Sequence, residues 1–314
     1  MTKMLKWGWL VLVIGLVLLG IGIRMNGAQN ITFDNWQPKI SRSKLITKKY
    51  TDISSFNTID VRTSETGVKL VKGDKYAVEY TGRDRYKPSV STEHQRLIIK
   101  QSEGKFNAVN LGFNYNGDSE DTDQITITVP QDISLKTVKV RSDSGMIALD
   151  NQKAATLKLT VADGDIKLAN VTASNVQLAS QDGEITANQT NLSSGTISQN
   201  DGDLTMKKGE IKQLKIQNQD GDVNYAEMRL NDGSLKMQDG DFEAEQISVI
   251  GTYSVNNNDG DNTVRDAQVG GYHLITSDGT NYLYDRNSNN DLVWNSKTTD
   301  ILKLITTDGD NKVK

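Results

Sequence analysis

The sequence predicts an all-β protein: a β-solenoid (parallel β-helix-like) with 19-residue coils, preceded by one N-terminal transmembrane helix. Three observations carry this. An uncharged apolar run, Trp7 to Ile23, opens the chain. An Asp-Gly dipeptide, once Ser-Gly, recurs with its glycine at Gly145, Gly164, Gly183, Gly202, Gly221, Gly240, Gly260, Gly279 and Gly309, in steps of 19 residues apart from one of 20 and a last one of 30. Around each dipeptide hydrophobicity alternates with period two, as in Leu157-Lys158-Leu159-Thr160-Val161, which is the period of a strand.

The apolar run holds 17 residues and as a helix would span roughly 25 Å, the short end of a membrane crossing. Lys3 and Lys6 precede it, Arg24 closes it, and Trp7 and Trp9 stand where an aromatic belt would lie. Residues 1–25 therefore read as a cytoplasmic tip and anchor. The expected location is the cell membrane, single-pass, with the N-terminus inside and the bulk of the chain outside. The membrane is thus the first expected partner. Small residues near Asn26-Gly27-Ala28 keep open a cleaved signal peptide and secretion. Residues 26–50, polar with Lys39, Arg42, Lys44, Lys48 and Lys49, read as a tether.

Residues 51–143 read as irregular N-terminal β coils forming a cap. Strand alternation begins at Phe56 and recurs through Val68, Leu70, Val78, Leu97, Ile99 and Ile125–Val129. The stretch from Val61 through Glu65-Thr66-Gly67 to Leu70 is a loose echo of the later repeat. Two loops interrupt it: Gly82–Glu93, which holds Arg83, Arg85 and Lys87, and Gly104–Asp123, rich in Asn and Gly.

Residues 144–314 are the regular repeats. Four residues before each turn Asp (or Ser144) stand Val140, Leu159, Leu178, Ile197, Ile216, Leu235, Val255, Leu274 and Leu304. Three after it stand Ile147, Ile166, Ile185, Leu204, Val223 and Phe242, then Asn262, Asn281 and Asn311. Nine before it stand Leu135, Ala154, Ala173, Leu192, Ile211, Leu230, Ile250 and Val269. A strand with one apolar face cannot bury it alone, and stacked coils let each column pack on itself. A row of antiparallel hairpins in a sandwich is the alternative. The step of 30 fits one repeat with about eleven inserted residues within Tyr284–Asn295.

Composition narrows the function. The chain has 314 residues and no cysteine, which excludes disulfides, thiolate metal sites, cysteine nucleophiles and a lipid-modified anchor. Its two histidines, His94 and His273, lie far apart. Up to residue 143 there are 21 Lys and Arg against 15 Asp and Glu, and over 144–310 there are 13 against 25. The acidic second half argues against nucleic acid as a partner, because phosphates would be repelled.

Taken together, Phe56-Asn57-Thr58-Ile59-Asp60-Val61, Gly67-Val68-Lys69-Leu70, Ile125–Pro130 with Leu135 and Val138, and the repeats from Ser144 resemble the bacterial "putative adhesin" family of β-strand-repeat cell-surface proteins, a domain of unknown function. The likeness covers roughly residues 45–312. It implies a surface protein of the membrane-anchored, envelope-stress-operon type, and it supplies no catalytic residues.

The sharpest candidate for chemistry is the acidic ladder Asp163, Asp182, Asp201, Asp220, Asp239 and Asp259 at the turns, with a second acid after each glycine. Stacked about 4.8 Å apart, such carboxylates repel, and calcium, a hard cation with oxygen ligands, would relieve that. The plain reading is a turn: Gly takes positive φ without strain, and Asp hydrogen-bonds its own backbone. Tyr253 and Tyr272 share a column and are expected on adjacent coils, with Tyr282, Tyr284 and Trp294 nearby in sequence. They suit packing at the end of the rod or stacking on a sugar. A polysaccharide-active β-helix enzyme would need a convergent acid and base, and the repeated acids single out no pair. The expectation is a non-catalytic protein with no cofactor, contacting cell-wall polymer, host matrix or another envelope protein for adhesion or for stress response. A calcium-stabilised surface scaffold is the alternative.

Overall fold

The computed structural model describes residues 7–9, 12–18, 21, 31–34, 37–40, 44–101 and 123–314. The possible cleavage site at Asn26–Ala28 and most of the Gly104–Asp123 loop lie outside the described residues.

From Leu45 on, the strands form one 25-stranded sheet; Ile31–Asp34 and Gln37–Ile40 pair separately as an antiparallel hairpin. In the middle of the chain the sequence period becomes the pairing register. Val140 pairs with Leu159, Leu159 with Leu178, Leu178 with Ile197 and Ile197 with Ile216, all parallel. Beyond the turn, Ile147 pairs with Ile166, then Ile185, Leu204, Val223 and Phe242. Every one of these side chains is buried in a single core. Each contributes roughly 1.5–3 kcal/mol of hydrophobic stabilisation. The strands Leu204–Asp220 and Val223–Asp239 run unbroken for 17 residues of the 19-residue period. The sheet thus turns the corners with the chain and closes almost completely around the core.

The expected β-solenoid is corrected to this single, nearly closed sheet. A solenoid winds in sequence order with parallel pairs throughout, and here both ends break that rule. At one end Arg96–Lys100 lies outside Thr58–Thr63, which itself abuts Leu135–Ser144. Antiparallel pairs of Leu45–Tyr50 with Ala77–Arg83, and of Ser89–Glu93 with Arg96–Lys100, finish that end. At the other end Ser248–Asp259 pairs with Ile301–Asp308, and Ile301–Asp308 pairs with Gly271–Asp278. The last strands therefore slot between two earlier ones. The inserted residues fold back as Arg286–Ser288 and Asp291–Trp294, antiparallel to Asn281–Leu283 and Gly271–Asp278. Such hairpins keep an open row of backbone donors and acceptors from ending the stack.

The expected transmembrane helix is also corrected, and with it the single-pass membrane localisation. No helix among the described residues is long and apolar enough to cross a membrane.

One column is miscounted in the sequence. Leu230 pairs with Val249, not Ile250, because the register shifts between Asn231 and Gly233. The extra residue of the 20-residue step sits in this bulge, where Gly251 has φ +70° and Ile250 is turned outward at 45% exposure.

Candidate functional site

The Asp-Gly turns stack on one edge of the sheet. Asp163, Asp182, Asp201, Asp220, Asp239, Asp259, Asp308 and Asp278 follow one another in register. The turn backbones are stitched from one level to the next, for example Gly164 N to Asp182 O at 2.9 Å and Gly202 N to Asp220 O at 2.9 Å. The carboxylates of Asp163, Asp182, Asp201, Asp220, Asp239 and Asp259 point into solvent and have no partner among the described residues.

The second acid has a different job. Asp203 Oδ1 accepts from Asp222 N (2.9 Å), Asp222 Oδ1 from Asp241 N (2.9 Å), Asp241 Oδ1 from Asp261 N (2.8 Å), and Asp261 Oδ1 from Asp310 N (2.8 Å). Each carboxylate caps an amide of the next level, as an N-cap does for a helix. Asp222→Ala is therefore expected to cost about 1 kcal/mol, while Asp220→Ala stays within about 0.5 kcal/mol. Urea melts of the two variants check this, and equal losses would show that the two rows share one role.

Asp261 adds an ion pair: Lys312 Nζ lies 2.7 Å from its Oδ2 and 3.2 Å from Asp310 Oδ2. Burial alone would raise the Asp261 pKa, but the Lys312 ammonium and the Asp310 amide outweigh it and hold it below the usual carboxylate value. A depressed carboxylate stabilises the fold above its unfolded pKa of about 4 and loses that contribution as pH falls through the folded value. Wild type should therefore melt above Lys312→Met at pH 7 by under about 1 kcal/mol, with the gap closing below about pH 4. A gap that persists at pH 3 would contradict the assignment.

Beneath the turns lies a polar row that the sequence reading missed. Two residues before the Asp, an inward-facing position, stand the buried Ser142, Ser180, Gln199, Asn218, Asn257, Thr276 and Thr306. Gln199 Nε2 donates to Gly183 O (2.8 Å), Asn218 Nδ2 to Gly221 O (2.9 Å), Asn257 Nδ2 to Gly240 O (2.8 Å) and Thr276 Oγ1 to Gly309 O (2.9 Å). Polar residues recurring at an inward strand position were the available signal.

Asn262, Asn311 and Asn281, where the aliphatic column ends, stack in that spatial order as a buried ladder. Asn262 Nδ2 donates to Asn311 Oδ1 at 2.8 Å, and Asn311 Nδ2 to Asn281 Oδ1 at 2.7 Å and to Ile275 O at 2.8 Å.

The two tyrosines expected on adjacent levels are not neighbours: Leu302 pairs with both Tyr253 and Tyr272 and lies between them. Tyr253 is buried and shares a 3.0 Å hydrogen bond with Tyr225, and burial pushes both phenol pKa values up. Tyr272 is buried at the far end, its ring 6.3 Å from Tyr284 and 6.0 Å from Trp294. Those two outer rings are 59% and 43% exposed, with Tyr282 at 40% and Val293 at 38% beside them in the chain. His273 Nε2 lies 3.1 Å from Asp291 Oδ1 on the same hairpin. His94 occupies the Ser89–Lys100 hairpin turn with φ 48°.

No group of three or more His, Cys, Asp or Glu among the described residues has the geometry to hold a metal ion. The chain is a β-repeat domain, and among the described residues its extended rows of like residues single out no acid–base pair. Several solved structures share the fold, among them two from Parabacteroides species. One is a "putative adhesin" from Parabacteroides merdae, 14% identical with a TM-score of 0.53. The other is a "putative lipid binding protein" from Parabacteroides distasonis, 12% identical with a TM-score of 0.50. Each alignment covers 86% of this chain and 97% of the other. Comparison with curated proteins finds no match. The family model described as Toastrack DUF4097 matches residues 56–314, and the chain belongs to that family.

Proposed function

We propose that this protein is an adhesin-type contact protein that binds an extracellular polymer or protein through side chains on a rigid sheet, without chemistry. The observation that supports the reading is the aromatic cluster on the C-terminal hairpin. Tyr284 and Trp294 are held against the buried Tyr272 yet keep half of their surface in solvent. Exposed rings fixed on a rigid support bury apolar area against a partner at little entropic cost. Full-length protein incubated with cell-envelope fractions should be retained, and Tyr284→Ser with Trp294→Ser should cut retention at least tenfold at unchanged melting temperature. Retention equal to wild type would refute the aromatic end as the contact. A stress-response role predicts a different outcome: deletion changes sensitivity to wall-active antibiotics and leaves attachment intact.

The acidic ladder Asp163, Asp182, Asp201, Asp220, Asp239 and Asp259 we read as a stack of turns whose carboxylates are solvated. A ligand at 100 times its Kd would stabilise the fold by about 2.7 kcal/mol. Millimolar calcium against chelator should therefore leave the melting temperature unchanged, and a rise of several degrees would instead make the ladder a cation site.

A further inference from the structure

Cations concentrate at one place on the outer face of the sheet, at the end opposite the aromatic hairpin. Lys100, Arg62 and Arg141 are register neighbours on three consecutive strands, and Lys139 and Lys158 are neighbours in the next outward-facing column. All five are exposed, and they line one cleft of about 860 Å³. Among the described residues its lining holds one carboxylate, Asp143, 4.0 Å from Arg141 and itself exposed, and Asp60 stands beside Lys139 in the register. Further along the first column the same position holds Thr160, Ala179, Ser198 and Gln217 before Lys236, so four levels without charge show that the repeat itself does not call for it there.

Like charges directly opposite one another on paired strands repel and destabilise the sheet. Packing gives no return for these five, whose heads lie in solvent. An anionic ligand would. Neighbouring strands set the cations about 4.8 Å apart in a line, which suits a chain with repeated charges better than a single small anion. Two of the central three are arginines, whose planar fork matches phosphate oxygens in pairs. The Thr156 and Thr160 hydroxyls in the same cleft offer hydrogen bonds to a polyol. The acidic edge from residue 163 onward would repel a long stiff polyanion laid along the sheet, which disfavours duplex nucleic acid.

We infer that the cleft of Arg62, Lys100, Lys139, Arg141 and Lys158 binds a flexible polyol-phosphate polymer. This site is separate from the aromatic end and stands or falls independently of it. The test is titration of the full-length protein with poly(glycerol phosphate), polygalacturonate, single-stranded DNA and neutral dextran. Poly(glycerol phosphate) should bind, with affinity falling steeply between 50 and roughly 200 mM salt because neutralised phosphates release counterions. Arg62→Gln with Arg141→Gln should lose at least tenfold in affinity while the melting temperature holds or rises, since repulsion is removed. Lys215→Gln with Lys236→Gln, on the same face further along, should bind as wild type. Wild-type affinity in the arginine variant would overturn the site. Equal or tighter binding of polygalacturonate or DNA would overturn the polyol-phosphate assignment.

Discussion

Asn311→Ala is expected to destabilise the protein by about 3–5 kcal/mol, among the largest effects of any single side chain. Asn311 is the middle rung of the buried asparagine ladder. Its loss leaves the Asn262 amide only a 3.4 Å bond to the Ile305 carbonyl, strands the Asn281 side-chain carbonyl, and opens a cavity between them. An orphaned buried polar group costs about 1–3 kcal/mol, and a void adds to it. The ladder also makes a sharper prediction. Earlier levels fill the same column with Ile, Leu, Val and Phe. Replacing all three asparagines by valine should therefore recover much of what the single substitution loses, because no ladder side chain is then left unpaired and only the Ile275, Ile305 and Asn290 carbonyls each lose a donor. Chemical denaturation of the single and triple variants measures both. A triple variant weaker than Asn311→Ala would show that the ladder stabilises through more than mutual satisfaction.

Gly221→Ala should cost a comparable amount, about 3–5 kcal/mol, through the backbone. Gly221 has φ +126°, a conformation that L side chains rarely adopt, and an added Cβ would stand 2.3 Å from the Gly202 carbonyl oxygen. That oxygen belongs to the turn stacked directly below, so relief requires two levels to part. Gly145 at the start of the stack is a built-in comparison, because its Cβ would meet Thr66 at 3.0 Å. Gly145→Ala should therefore be milder. Thermal melts of the two variants decide it, and equal losses would point to φ alone rather than the close approach.

The central columns were legible because one residue type recurs at one spacing, and parallel pairing converts that spacing directly into register. Leu159 over Leu178 over Ile197 needs no information beyond the period. The ends were illegible for the same reason. Nothing in a 19-residue period says that Leu302 lies between Tyr253 and Tyr272, since that order goes with the inserted residues Arg286–Trp294 folding back on the strands before them. Ile250 was misplaced because counting back from Asp259 passes over the bulge at Gly251. The acid pairs of the turn look alike in sequence, yet Asp222 caps an amide while Asp220 faces solvent. Only the stacking geometry tells them apart. The cation row Lys100–Arg62–Arg141 was hidden because its members come from strands 38 and 79 residues apart in the chain.

The order of strands at the C-terminal end is the claim on which the aromatic contact surface rests, and a cysteine-free chain allows a clean test of it. Ser254 pairs with Lys303, and Lys303 with His273. Neighbouring strands place Cα atoms about 5 Å apart, within disulfide reach, whereas the next strand over stands about 10 Å away, beyond it. Under mild oxidation the variant carrying Ser254→Cys and Lys303→Cys should form an intramolecular disulfide, and the variant carrying Ser254→Cys and His273→Cys should not. The reverse result, a bond from 254 to 273 and none from 254 to 303, would mean that the levels stack in sequence order and would contradict the structure described.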